Sequence, residues 1–255
     1  MLVPREKAAH WYTREGVPMF TVPKKTGGCR NTTVKDAREM GLIPSVTTIL
    51  KLLSKDSLVA WRIEQAILAA LTLPRLTSET NDHFARRVIE DMDAQSEKAR
   101  EFGVAIHEAV NNKITHNVEM LDGPYGEFIA PVMKYIDDEK IKGKCEIVVA
   151  TDDYAGTVDF MGWVGTGSSS MIIDWKTQNT KPDKKVIYYD EWAYQLAAYQ
   201  RAIPNRPTTQ GAMSVVISST EPGRIEQRVW SDEEMEQADK VFMHLVDIFK
   251  IIKKL

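Results

Sequence analysis

Apolar and polar positions change rhythm midway along the chain, and the change separates two kinds of structure. From residue 11 to 23, short apolar runs flank Glu15-Gly16, which predicts a short hairpin, with a mobile loop following at Lys24 to Gly28. Pro44-Ser45-Val46-Thr47-Thr48 combines a proline with hydroxyls able to cap exposed amides, so a helix is expected to start there. Helical spacing then runs to about Leu73 and stops at Pro74. It resumes over Asp82 to Thr115, with an interruption allowed near Gly103, and returns from Pro124 to about Lys140. The first half therefore reads as mainly helical.

At Lys144 the period shortens. Cys145 to Ala150, Ala155 to Val164 and Met171 to Lys176 are strand candidates, divided by Asp152-Asp153 and by Gly165-Thr166-Gly167-Ser168. Such close spacing predicts an antiparallel meander. A helix from about Asp190 to Ile203 ends at Pro204, and strands follow near Ala212 to Ser218 and Ile225 to Trp230. Ser231 with Glu234 three residues on forms a capping box that opens a final helix. The order predicts an α/β fold, a mixed sheet flanked by helices.

Composition narrows the function. With 43% apolar and 27% charged residues in 255, the chain has the make-up of a globular protein with a substantial core. A net charge of −3 excludes a generally polybasic nucleic-acid coat. Residues 24 to 62 nevertheless hold eight basic side chains against Asp36, Glu39 and Asp56, a local excess of 8 − 3 = +5. Taken singly, a solvated charged face accounts for it. Two cysteines, Cys29 and Cys145, are too few for a four-cysteine zinc site or iron–sulfur cluster. Met1 to Lys7 turns charged before an apolar signal region begins, and Ala66 to Leu73 is far short of the ~20 residues of a membrane helix. A soluble, cytoplasmic protein without a membrane partner is expected.

Candidate chemistry lies in Gly156-Thr157-Val158-Asp159 and in Met171-Ile172-Ile173-Asp174-Trp175-Lys176. Residues two apart on a strand share a face, so Asp174 and Lys176 project together. A hairpin brings Asp159 on the preceding strand beside Asp174. Two such carboxylates on an apolar sheet repel each other unless a divalent cation neutralises them. Lysine beside that cation is suited to orienting a water or stabilising charge on a phosphate. Asp-x-Lys also occurs at Asp138 to Lys140 and Asp183 to Lys185, but only the middle copy ends a buried-strand pattern. A structural ion pair explains Asp174 and Lys176 equally well on these residues alone. Gly103 with His107, and Gln195 with Tyr199, are each four apart on one helical face.

Gly103-x-x-x-His107, Gly156-x-x-Asp159, Asp174-x-Lys176 and Gln195-x-x-x-Tyr199, in this order, resemble the PD-(D/E)XK nuclease superfamily, and within it the RecB-like exonuclease group. The resemblance covers residues 103 to 199, and Pro44-Ser45-Val46-Thr47 is similar to a segment of its small stand-alone phage and mitochondrial exonucleases. It implies a restriction-endonuclease-like three-layer α/β/α core over residues 81–255, preceded by a basic hairpin-and-helix region, 1–80, as a DNA-channel candidate. It implies Mg²⁺ or Mn²⁺ on Asp159, Asp174, the Trp175 carbonyl and His107, with Lys176 positioning the attacking water. Gln195 and Tyr199 would support the site or touch DNA, and Glu146 would stand behind the metal ligands, with a surface salt bridge as its competing reading.

Ser45 and Thr47 would bind a phosphate, and Lys24 and Lys25 would meet DNA as part of the basic region. Trp11, Tyr12, Phe20 and Trp61 could stack bases or be core, and for Trp61, on a helix, core is favoured. The four cysteines of cluster-bearing relatives are missing, as is any Gly-x-x-x-x-Gly-Lys-Ser/Thr motor segment, and Asn111 stands where many relatives have an acid. The resulting expectation is a metal-dependent DNA exonuclease acting on single strands or ends in replication, recombination or repair. A phage source and a bacterial host cytoplasm go with it, as do a recombinase, a single-strand-binding protein or a helicase as partner. A non-catalytic recombination scaffold, a structure-specific endonuclease and an adaptor held by ion pairs are the rival readings.

Overall fold

Helices cover both faces of a five-stranded sheet built from the second half of the chain. The computed structural model describes residues 9–53, 56–166, 170–205 and 210–255. Met1 to Lys7, Lys55 and Gly167-Ser168, which entered the expectations above, lie outside them. The first half contains β1 (Trp11–Tyr12), β2 (Thr21–Pro23), β3 (Cys29–Asn31), α1 (Val34–Met40) and β4 (Ile43–Pro44). Helices α2 (Val46–Leu50), α3 (Asp56–Thr72), α4 (Asn81–His116) and α5 (Gly126–Asp138) follow. The second half runs β5 (Lys142–Ala150), β6 (Ala155–Trp163), β7 (Ser170–Gln178), α6 (Asp190–Ala202), β8 (Gly211–Ser218), β9 (Ile225–Trp230) and α7 (Asp232–Lys253).

The sheet order is β5-β6-β7-β8-β9, antiparallel throughout except for the parallel pair β7 and β8. That pair is joined through α6, since a parallel return needs a crossover rather than a tight turn. Alternation along β7 divides the core. Ile172 packs with α2, α6 and α7, whereas Ile173 and Trp175 pack with α4 and α5. The fold is thus the expected mixed α/β arrangement in three layers. Ser231 caps α7 in a reciprocal box with Glu234, as its spacing predicts.

Several local expectations change. Helical spacing from Pro44 to Leu73 is split into α2 and α3, because the two halves serve different partners. α2 buries Val46, Ile49 and Leu50 against α6 and α7, while α3 lies along α4. α4 runs unbroken through Gly103 for 36 residues. Lys24 to Gly28 is a closed hairpin turn between β2 and β3 rather than a mobile loop, with the Lys24 N–H donating to Gly28 O at 2.9 Å. Trp11 and Tyr12 are core: Trp11 is fully buried beside Phe249. Trp61 is only half-buried, on the wall of a groove rather than in the core.

Candidate metal centre

The sheet opens where the candidate residues sit. Pairing between β6 and β7 runs from Trp163↔Ser170 to Phe160↔Ile173 and then stops; one more step of the same register would pair Asp159 with Asp174. Instead the Asp159 side chain takes the place of the missing ladder partner, its Oδ2 accepting from the Trp175 N–H at 3.0 Å. On the other side of β6, Cys145↔Phe160 and Ile147↔Val158 leave Glu146 opposite Asp159 but unpaired. Glu146 adopts φ +53°, a left-handed conformation that is uncommon for a side chain of its size. The ladder is therefore interrupted on both flanks of Asp159, and strain of this kind concentrates at functional sites.

Asp174 faces the α6 side and is 1% exposed. Lys176 Nζ donates to its Oδ1 at 2.9 Å and lies 2.8 Å from Oδ2. Oδ2 is buried and takes no well-aligned hydrogen bond, so its remaining capacity is unused. From α6, Gln195 bridges the pair: its Oε1 accepts from Lys176 at 3.2 Å and its Nε2 reaches Asp174 Oδ1 at 3.2 Å. The same Nε2 lies 3.1 Å from the Tyr199 hydroxyl, one helical turn on. The Tyr199 ring rests on Gly156, where a Cβ would stand 2.6 Å from Cε1. Glycine at 156 is thus the flat seat for the tyrosine that backs Gln195, which in turn positions Lys176.

A second glycine does similar work on the opposite face. At Gly103 a Cβ would come within 3.3 Å of Thr177 Oγ1, so α4 approaches β7 closely there. One turn later His107 reaches the site, with Nδ1 3.8 Å from Asp159 Oδ2. His107, Glu146 and Asp159 each offer a ligand atom within 4.8 Å of the others. Glu146 therefore stands among the candidate ligands, closer to the centre than its position on an outer strand indicates in the sequence. The carboxylate of Asp174 points into the same cavity but is engaged by Lys176 and Gln195.

Electrostatics fit a cation. Burial pushes the Asp159 pKa well up, and the Asp174 carboxylate pushes it further. Burial lowers the His107 pKa, which favours the neutral imidazole a metal requires. Burial alone would depress Lys176, but Asp174 and Asp159 outweigh it and hold the ammonium charged. One imidazole nitrogen with carboxylate oxygens is a donor set for a hard or borderline divalent ion. The crowded acids are consistent with such an ion.

The cavity above these groups measures about 500 Å³ and is walled by His10, Phe20 and Thr47 from the N-terminal region. Thr47 is exposed there, but Ser45 is buried: its Oγ accepts from the Thr48 N–H at 3.0 Å as the cap of α2. Ser45 thus holds the helix start, and it lines the cavity beside Thr47. Lys24 and Lys25 stand exposed on the β2–β3 turn, away from the cavity lining. Four of the basic side chains between 24 and 62 have partners, although Asp36 and Glu39 are already counted in the +5 and, of these acids, only Asp93 offsets it from outside the segment. Arg30 pairs with Asp36, Lys35 with Glu39, Arg62 with Asp93, and Arg38 donates to the Lys253 carbonyl.

No family model matches the chain, and no curated protein matches it. Among solved structures it is similar to a protein described as a candidate exonuclease from Eubacterium rectale, at 12% identity and a TM-score of 0.40, covering 61% of this chain and 67% of that one. It is also similar to SSO0001, at 11% identity and a TM-score of 0.31, over 74% and 86% of the two chains.

Proposed function

We propose that this chain is a divalent-cation-dependent DNA exonuclease whose site is of the PD-(D/E)XK, RecB-like kind. The observation that carries the reading is the break in the sheet ladder around Asp159. It gathers Glu146, His107 and the Asp159 carboxylate at the mouth of a cavity whose floor is the Asp174–Lys176 pair. His107, Glu146 and Asp159 would hold Mg²⁺ or Mn²⁺, with Asp174 and the Trp175 carbonyl facing the same space. The ion, when bound, neutralises carboxylate and phosphate charge as a Lewis acid. Lys176, held charged, has no free lone pair and so serves as a hydrogen-bond donor. It orients the attacking water and stabilises negative charge on the phosphoryl oxygens. Gln195 and Tyr199 fix the direction of that ammonium.

The test uses end-labelled linear single- and double-stranded DNA and a covalently closed circle, each with Mn²⁺ or Mg²⁺. The reading expects nucleotides released from linear ends, an intact circle and no reaction in EDTA. Cleavage of the circle would overturn the exonuclease assignment in favour of an endonuclease. Inertness toward every substrate under all these conditions would overturn the nuclease assignment.

A further inference from the structure

A second, larger cavity of about 1560 Å³ adjoins the metal centre, and Thr177, next to Lys176, lines both. Its volume exceeds the roughly 300–1,000 Å³ of a small-molecule site, which points to an extended ligand. Two kinds of side chain mark its wall. Trp61 from α3, Tyr189 and Trp192 supply aromatic surface, and Trp192 lies 5.9 Å from Lys176 Nζ. Lys181, Lys184 and Lys185, on the segment between β7 and α6, supply positive charge. All three lysines are exposed, and among the described residues no carboxylate pairs with them.

That segment is pinned from behind. Thr180 is buried, with its Oγ1 2.6 Å from Ser218 Oγ and its N–H donating to Thr220 Oγ1 at 3.1 Å. Arg224 donates to the backbone carbonyls of Lys181 at 3.0 Å and Lys184 at 2.5 Å. Gln178 exchanges hydrogen bonds with the backbone of Ile187, closing the base of the segment. The backbones of Lys181 and Lys184 are therefore held by Arg224 while the three side chains line the groove, an arrangement that lowers the ordering cost of binding. Glu101, Asp190 and Glu191 also reach this wall, so it is no uniformly basic surface.

We infer that this groove binds the unpaired strand of a single-stranded nucleic acid leading to the metal centre, with Lys181, Lys184 and Lys185 on phosphates and Trp61 under a base. Stacking on an aromatic face needs a base freed from a duplex, and alternating aromatic and cationic contacts are how single strands are held without regard to sequence. The inference rests on the nuclease reading for its direction. Its test reads binding alone, in EDTA, so absence of cleavage and absence of binding are separate results.

The probe is a fluorescein-labelled oligo(dT) of about 20 nucleotides, longer than one single-strand site, followed by anisotropy at several salt concentrations with the full chain. Lys184→Glu/Lys185→Glu is expected to weaken binding at least about tenfold and to lower the log–log salt slope by about 1.4, two contacts at ~0.7 each. Trp61→Ala is expected to weaken it about tenfold with the salt slope unchanged, and Trp61→Phe to recover most of the loss. Circular dichroism melts establish that each variant is folded. Wild-type affinity in the lysine or the Trp61→Ala variant would overturn the inference. So would a blunt duplex of equal length bound as tightly and with the same dependence on these residues.

Discussion

Replacing Gly156 with alanine tests whether the floor of the candidate metal centre is built as described. The new Cβ would lie 2.6 Å from Tyr199 Cε1 and 3.4 Å from Val46 Cγ2. Carbon atoms rest at ~3.5–4.0 Å, so the ring must retreat by about 1 Å. It has little room, because Tyr199 is only 4% exposed and its neighbours are core. Overpacking of this degree costs about 1–3 kcal/mol, against a gain of about 0.5–1 kcal/mol for removing glycine from a strand. A net loss of about 1–2 kcal/mol corresponds to a melting point about 2–8 °C lower for a chain of this size. The assay is thermal unfolding followed by circular dichroism, repeated in a Tyr199→Ala background. There the clash is gone, so the same alanine is expected to be neutral or stabilising, a coupling of at least about 1 kcal/mol between the two positions. An equal loss in both backgrounds would refute the seat-and-ring account. In the nuclease assay Gly156→Ala should lower kcat more than it raises KM, because Tyr199 acts through Gln195 on Lys176 rather than on bound DNA.

Gly103→Ala should behave differently: its Cβ meets only Thr177 Oγ1 at 3.3 Å, and alanine favours the helix by about 1 kcal/mol. Stability is expected to hold or rise in a thermal melt while Mn²⁺ affinity falls, since His107 is carried on the same face; an unchanged affinity counts against His107 as a ligand. Glu146→Ala is expected to weaken Mn²⁺ binding in calorimetric titration by at least about tenfold, and to relieve the positive φ only if Gly is used instead. An isotherm identical to wild type would remove Glu146 from the ligand set. The Glu79 side chain, tucked between α3 and α4, accepts from His83, Arg87 and the Leu76 N–H. Burial alone would raise its pKa, but these bonds outweigh it and hold it at about 2. Because the folded value is depressed, its contribution to stability is present above the ordinary value of 4.5 and fades as pH falls toward 2. Glu79→Gln should flatten that acid limb in a pH series of chemical melts, and an unaltered limb would show that these bonds do not stabilise the fold.

The candidate residues that lie on long regular elements were legible from spacing. Asp174 and Lys176 share a face of β7 because strand side chains alternate, and Gln195 and Tyr199 share a face of α6 because helix turns repeat. Glu146 was harder to weigh, since its closeness to Asp159 depends on a register and a left-handed backbone that only the folded β5–β6 pair reveals. α1 and β4, with seven and two residues, are too short for a period to register. The split between α2 and α3 follows from which partner each helix meets, information that lies elsewhere in the chain. Likewise, which of the basic side chains of residues 24–62 are paired depends on the fold, since Arg62 meets Asp93 only once α3 lies along α4.

The central claim is that the broken ladder around Asp159 forms a cation-dependent phosphodiesterase site with Lys176 as its charged donor. Its most direct test is the initial rate of Mn²⁺-dependent hydrolysis of end-labelled single-stranded DNA by wild type and by Lys176→Ala, with each shown to be folded and to bind Mn²⁺. Losing a donor aimed at developing charge costs about 10²–10³ in rate, so the account predicts a fall of that size. Equal rates for the two proteins would contradict it.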